Sequence, residues 1–222
     1  MIMATGRRFD DRADAGRRLA ALLTHLLGRD LVVLGLPRGG VPVASEVAKA
    51  LGAPLDVIVV RKLGLPMQPE VAMGAIGEGG FEILDRPFIA RAGVTDREVR
   101  AVEEHERRQL QARIRRLRRG RAALGLQGRI AVVVDDGLAT GLTARVACRA
   151  ARQRGATRIV MAVPVGPTAV ARSVPEADEV VCLHRPEPFI AVGCSYVAFR
   201  PPTDQAIVAI LDQAARARRE AS

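Results

Sequence analysis

The chain alternates between short runs that are apolar throughout and longer stretches in which apolar residues recur every three or four positions. LVVLGL (31–36), LDVIVV (55–60), RIAVVV (129–134), TRIVMAVPV (157–165) and DEVVCL (178–183) belong to the first kind. Such brief runs, rich in Val and Ile, predict strands buried on both faces. Helical patterns lie between them. Leu19, Leu22, Leu23, Leu26 and Leu27 make one stripe over residues 12–27, with Asp10 or Asp11 as a cap and Gly28 as a stop. PVASEVAKALG (42–52) and the segment after residue 141, running to about Arg154, predict two more helices, and a last one starts near Thr203–Asp204. Strand, helix, strand in succession argues for parallel βαβ units. The expected class is α/β, a mostly parallel five-stranded sheet flanked by helices. It is read as one domain over 1–222 with its core at about 30–183.

Two segments break this rhythm. RKLGLPMQPEVAMGAIGEGGFEILD (61–85) is glycine-rich with two prolines, and predicts a loop, mobile at its start, followed by a β-hairpin around Gly79-Gly80. A charged helix follows, so hairpin and helix together form an insertion over about 61–125. The stretch 184–202 is Pro- and aromatic-containing and reads as a small separate cap on the core.

Composition changes the picture in three places. At 222 residues with 49% hydrophobic and 26% charged, the chain is ordinary for a globular domain and long enough to need neither disulfides nor a structural metal. Cys148, Cys182 and Cys194 form no CxxC pair, which predicts reduced thiols, no thiolate metal site and a cytoplasmic setting. The opening MIMATGRRFDDRADAGRRL fits neither a signal nor a transit peptide, and no apolar run approaches a membrane span. The net charge of +10 is concentrated: between Arg97 and Arg121 ten arginines stand against four glutamates. This is either the solvated face of an amphipathic helix or a face for RNA or DNA. An aromatic content of 3% argues against a stacking platform for single strands.

The candidate chemistry lies in VVVDDGLATGLTARVACRA (132–150). A buried strand runs into Asp135 and Asp136, then through Gly137, Leu138, Ala139, Thr140, Gly141, Leu142 and Thr143 into a helix. Unpaired amides at a helix start, helped by the dipole and by threonine hydroxyls, suit a phosphate. Neither a P-loop nor a Rossmann fingerprint is present. The carboxylates suit hydroxyl donors or a hydrated cation, so a sugar phosphate would satisfy both halves. Two more loops, Pro37–Gly40 and Arg61–Glu70, also leave strand C-termini, where ligands of parallel sheets gather.

VVVDDGLATGLT resembles the fingerprint of the type I phosphoribosyltransferases, which bind phosphoribosyl pyrophosphate (PRPP), and the likeness extends to a bacterial subgroup of that family. The resemblance implies that Asp135 and Asp136 take the ribose hydroxyls while residues 137–143 hold the 5-phosphate. GLPRGGVPVA resembles the family's pyrophosphate loop, which gives that role to Arg38, Gly39 and Gly40. Arg61 and Lys62 fall at the flexible catalytic loop, with Lys62 preferred for neutralising the leaving pyrophosphate. FIAVGCSYVAF (189–199) stands where the acceptor-binding hood would be, with Phe189, Val192 and Tyr196 as its candidates. Also implied are Mg²⁺ carried by PRPP with Asp135 and Asp136 at most in its outer shell, a nitrogenous acceptor, and a homodimer. Two departures stand out. Gly137 replaces a branched aliphatic residue, and Ala139 replaces the acid of the 6-oxopurine enzymes, which points away from hypoxanthine or guanine. A second reading keeps the PRPP pocket as a sensor in a regulator that binds nucleic acid through the arginine strip.

Overall fold

The computed structural model describes residues 8–220. The first residues of the N-terminal stretch weighed as a targeting signal lie outside that range. Helix α1 (Arg12–Ala20) continues as a 3-10 turn, Ala21–Leu26, and is followed by β1 (Leu31–Gly35), α2 (Gly40–Leu51) and β2 (Leu55–Val57). Then come β3 (Val60–Gly64), β4 (Ala72–Gly77), β5 (Phe81–Leu84), α3 (Arg86–Arg91) and α4 (Asp96–Arg118). The chain returns through β6 (Ile130–Val134), α5 (Leu142–Gln153), β7 (Arg158–Val165), β8 (Glu179–His184) and α6 (Asp204–Glu220).

Five strands form one sheet in the order β2-β1-β6-β7-β8, and every pairing in it is parallel. The runs are apolar on consecutive positions because both faces are covered. Val33, Val132, Val134 and Val160 pack against α1 and α2, and Val32, Leu34, Val133 and Met161 pack against α5. Each such side chain removed from water contributes about 1.5–3 kcal/mol. Asp11 caps α1 by accepting from Asp14 N–H at 2.8 Å.

The insertion is more ordered than its composition implies. Residues 61–64, expected as the start of a loop, belong to β3, which pairs antiparallel with β4 in a separate sheet ordered β3-β4-β5. Glycine and proline hide the alternation, yet Leu63 is fully buried beneath α4 with Met73 and Ile76. The expected turn falls at Gly79 and Gly80, whose φ values of 94° and 89° suit residues without Cβ. Helix α4 opens on a capping box between Thr95 and Glu98 and buries Val99, Leu110 and Leu117 against the hairpin and α6.

The segment after β8 carries only a 3-10 turn, Val192–Ser195, and is sewn to the chain ahead of α1. Phe9 N–H donates to Ser195 O at 2.8 Å, and Val197 N–H donates to Phe9 O at 2.8 Å. No helix of the described residues is long and apolar enough to cross a membrane.

Candidate active site

Two loops meet over the carboxyl edge of the sheet. Gly35 stands beside Val134 in register, so β1 and β6 release the chain at one level, and Leu36 N–H donates to Val134 O at 2.9 Å. The loops touch. A Cβ on Gly39 would lie 1.9 Å from Asp136 Oδ2, and one on Gly40 would lie 2.8 Å from Asp135 Cα. Gly39 has φ −63°, so what it supplies is room and not an unusual turn. The Pro37–Arg38 peptide is cis, and the Arg38 side chain is exposed beside it. The sequence-predicted glycines and acids are thus brought into one contact.

The two acids differ in surroundings. Asp135 Oδ1 accepts from Asp136 N–H at 2.9 Å. Burial, and then the charge of Asp136, push the Asp135 carboxyl well above the usual aspartate range. Asp136 Oδ2 receives both Nε and Nη2 of Arg12 at 2.8 Å. Its main-chain oxygen accepts from Tyr196 Oη at 2.5 Å. One oxygen of each carboxyl is therefore occupied by the protein itself.

Helix α5 begins beyond the acids. Leu138 is buried, and its N–H donates to Val165 O at 2.8 Å, while Ala139, Thr140 and Thr143 are exposed. Gly141 takes φ 81° as the N-cap, with no side chain bonded to the helix start. A Cβ there would lie 2.7 Å from Ser173 O. The first-turn amides of α5, Leu142 and Thr143 included, have no intrahelical partner, and no side chain caps them. Gly137 has a separate explanation: an added Cβ would strike Val192 Cγ1 at 2.4 Å and Val165 Cγ1 at 2.9 Å. The hood residue Val192 occupies the space a larger residue would need.

Arg61 and Lys62 sit apart from this contact, on β3. They line a cleft of about 720 Å³ against α4, together with His105, Glu106 and Arg113. Arg61 Nε is paired with Glu106. Lys62 Nζ donates to Glu70 O at 2.9 Å and meets Glu70 Oε2 at 3.3 Å. Arg113 lines the same cleft, and its Nε is buried without a hydrogen-bond partner. Burial lowers its pKa; Asp204 opposes that, and Arg38 and Arg61 nearby lower it further. Nothing in the sequence separates Arg113 from the other arginines of its strip.

The hood candidates divide. Tyr196 is only 2% exposed, with ring centroids of Phe9 and Phe199 at 5.3 and 4.9 Å. The structure places it as a tie to Asp136 and not as a surface for stacking. Phe189 and Val192 are half-buried around the same cluster. As for the arginine strip, Arg107, Arg116, Arg118 and Arg121 are turned to carboxylates of their own chain. Arg97, Arg100, Arg108 and Arg115 remain exposed along α4. Arg12 carries no motif, and its importance emerges only from the packing.

The family model described as "Phosphoribosyl transferase domain" matches residues 9–197, a span that takes in Arg12, both loops, the aspartates and Tyr196. The chain belongs to the phosphoribosyltransferase family. Two Mycobacterium tuberculosis proteins, MT0597 and Rv0571c, provisionally named phosphoribosyl transferases, are each 56% identical over 209 residues. The alignment covers 94% of this phosphoribosyltransferase chain and 47% of theirs, so the chain spans about half the length of these relatives. Among solved structures, TT1426 from Thermus thermophilus is 42% identical with a TM-score of 0.79, covering 93% of this chain and 99% of that one. The parallel sheet with its flanking helices is the architecture that goes with this family match.

Proposed function

We propose that the chain transfers the 5-phosphoribosyl group of PRPP to a nitrogenous acceptor, with release of pyrophosphate. The observation that carries this reading is the contact of Gly39 and Gly40 with the Asp135–Asp136 pair, beside the glycine-opened start of α5. On this reading the amides of residues 139–143 and the hydroxyls of Thr140 and Thr143 bind the 5-phosphate. The carboxylate oxygens not occupied by Asp136 N–H and Arg12 take the 2′- and 3′-hydroxyls. As the bond from C1 to pyrophosphate breaks, negative charge beside the ring stabilises the oxocarbenium-like sugar. Arg38 and the backbone of Gly39 and Gly40 hold the departing pyrophosphate. Lys62 is better placed to join them than Arg61, because its partner Glu70 is 99% exposed and the pair is weak and exchangeable.

The residues present fit a Mg²⁺ carried by the substrate. Half the oxygens of the aspartate pair are already bonded within the protein, which leaves one oxygen on each to meet the ion's water. Asp135 and Asp136 could reach such an ion through its water shell. Bound there, the ion neutralises charge on the pyrophosphate. For the acceptor, Phe189 is the residue left to offer a ring to a base, and Ala139 supplies no carboxylate to read a 6-oxopurine.

Calorimetry with Mg·PRPP tests the site. Asp135→Asn combined with Asp136→Asn is expected to remove measurable binding while the circular dichroism stays unchanged, and undiminished affinity would refute the proposal. Pyrophosphate release across a panel of purines, pyrimidines and small amines then identifies the acceptor.

A further inference from the structure

Arg12 is the first residue of α1, where a cation opposes the helix dipole. Helix stability does not explain it. Neither does solubility, since the residue is 8% exposed. Every part of its guanidinium is engaged by groups distant in sequence. Nε and Nη2 converge on Asp136 Oδ2 at 2.8 Å, Nη1 donates to Arg200 O at 2.9 Å, and Cζ lies 4.1 Å from the Phe199 ring centroid. Asp136 is meanwhile pressed against Gly39, where no Cβ could stand, and its carbonyl is held by Tyr196. The carboxylate is held from two sides and its backbone from a third, with Oδ1 the atom left over.

We propose that Arg12 is a positioning residue: its fork holds Asp136 in a single orientation that presents Oδ1 to a ribose hydroxyl, and it offsets one negative charge where a phosphate must also bind. This rests on the PRPP reading of the site. It assigns ribose recognition to the N-terminal helix as well as to the loop after β6. Two flexible carboxylates side by side would repel each other and the substrate. A fixed carboxylate whose second oxygen is neutralised by a planar fork does not share that cost.

Three probes separate the possibilities: Mg·PRPP, ribose 5-phosphate and inorganic pyrophosphate, each measured by calorimetry on the full chain. Arg12→Met keeps the stem that packs on Phe199 and removes the fork. It is expected to weaken PRPP and ribose 5-phosphate tenfold or more and to leave pyrophosphate binding unchanged. Arg12→Lys, which restores the charge but only one donor toward Oδ2, is expected to recover part of that loss. A structural role alone would weaken all three probes together, in step with a lowered melting temperature, and that result overturns the inference. So does a Met variant that binds ribose 5-phosphate as tightly as the parent. If the parent chain itself binds neither PRPP nor ribose 5-phosphate, the proposed function falls and this inference falls with it.

Discussion

Glycine and aspartate at the site act through space and burial more than through backbone freedom. Gly137 and Val192 are complementary, since the Val192 side chain fills the volume that a Cβ on Gly137 would claim. Gly137→Val is expected to destabilise the chain by about 1–3 kcal/mol through overpacking, and pairing it with Val192→Ala should recover most of that in a urea melt. Asp135 leads to a second expectation. Its folded pKa is raised, so the stability contributed by the neutral carboxyl is complete below the ordinary aspartate range and is lost as pH climbs through the raised value. Asp135→Asn, which cannot ionise, should therefore melt higher than the parent near neutral pH while failing to bind PRPP. Equal melting temperatures across that pH range would contradict the burial argument. Within the candidate site, Asp135, Asp136, Gly137, Thr140, Gly141 and Thr143 are legible in the sequence because they lie within a dozen consecutive positions. Arg12 is not, because it meets Asp136 across 124 residues and no local spacing encodes such a meeting.

At the scale of elements, most strands and helices of the core could be read directly, since apolar runs and three-four spacings do not mimic one another here; the run 55–60 is the exception, divided between β2 and β3 of the two sheets. The insertion could be read only in part. Its charged helix and the Gly79-Gly80 turn follow from pattern, whereas β3 is masked by the glycines and prolines around it. The C-terminal end of α4 is anchored by an ion cluster that sequence does not reveal. Arg118 Nη1 meets Asp56 at 2.8 and 3.0 Å, its Nε and Nη2 reach Glu78, and Leu124 N–H donates to the same Asp56. Arg118→Met would remove the cation shared by two largely buried carboxylates and is expected to cost roughly 3–5 kcal/mol. A shift of the urea midpoint with the slope unchanged is the measurement.

Over the whole molecule, the charge of +10 invites nucleic acid, and the packing reduces that invitation. Much of the arginine strip faces acids of α4 itself, of α6 and of β2. The arginines that remain exposed form a solvated face. Fluorescence anisotropy with RNA and DNA oligomers is expected to show binding only at low salt, lost by physiological ionic strength and indifferent to PRPP. Binding that survives salt and responds to PRPP would instead support a regulator.

The backbone stitch between Phe9 and the turn before Tyr196 joins the segment ahead of α1 and the segment after β8 into a single mechanical piece. Strain applied ahead of residue 8 would travel through α1 to the carboxylate that Arg12 grips. The trailing helix α6 is linked less directly: it packs beside α2, α4 and β2, and Arg12 Nη1 reaches only the Arg200 carbonyl ahead of it. A fusion at the leading end should therefore weaken the proposed PRPP binding more than the same fusion at the trailing end.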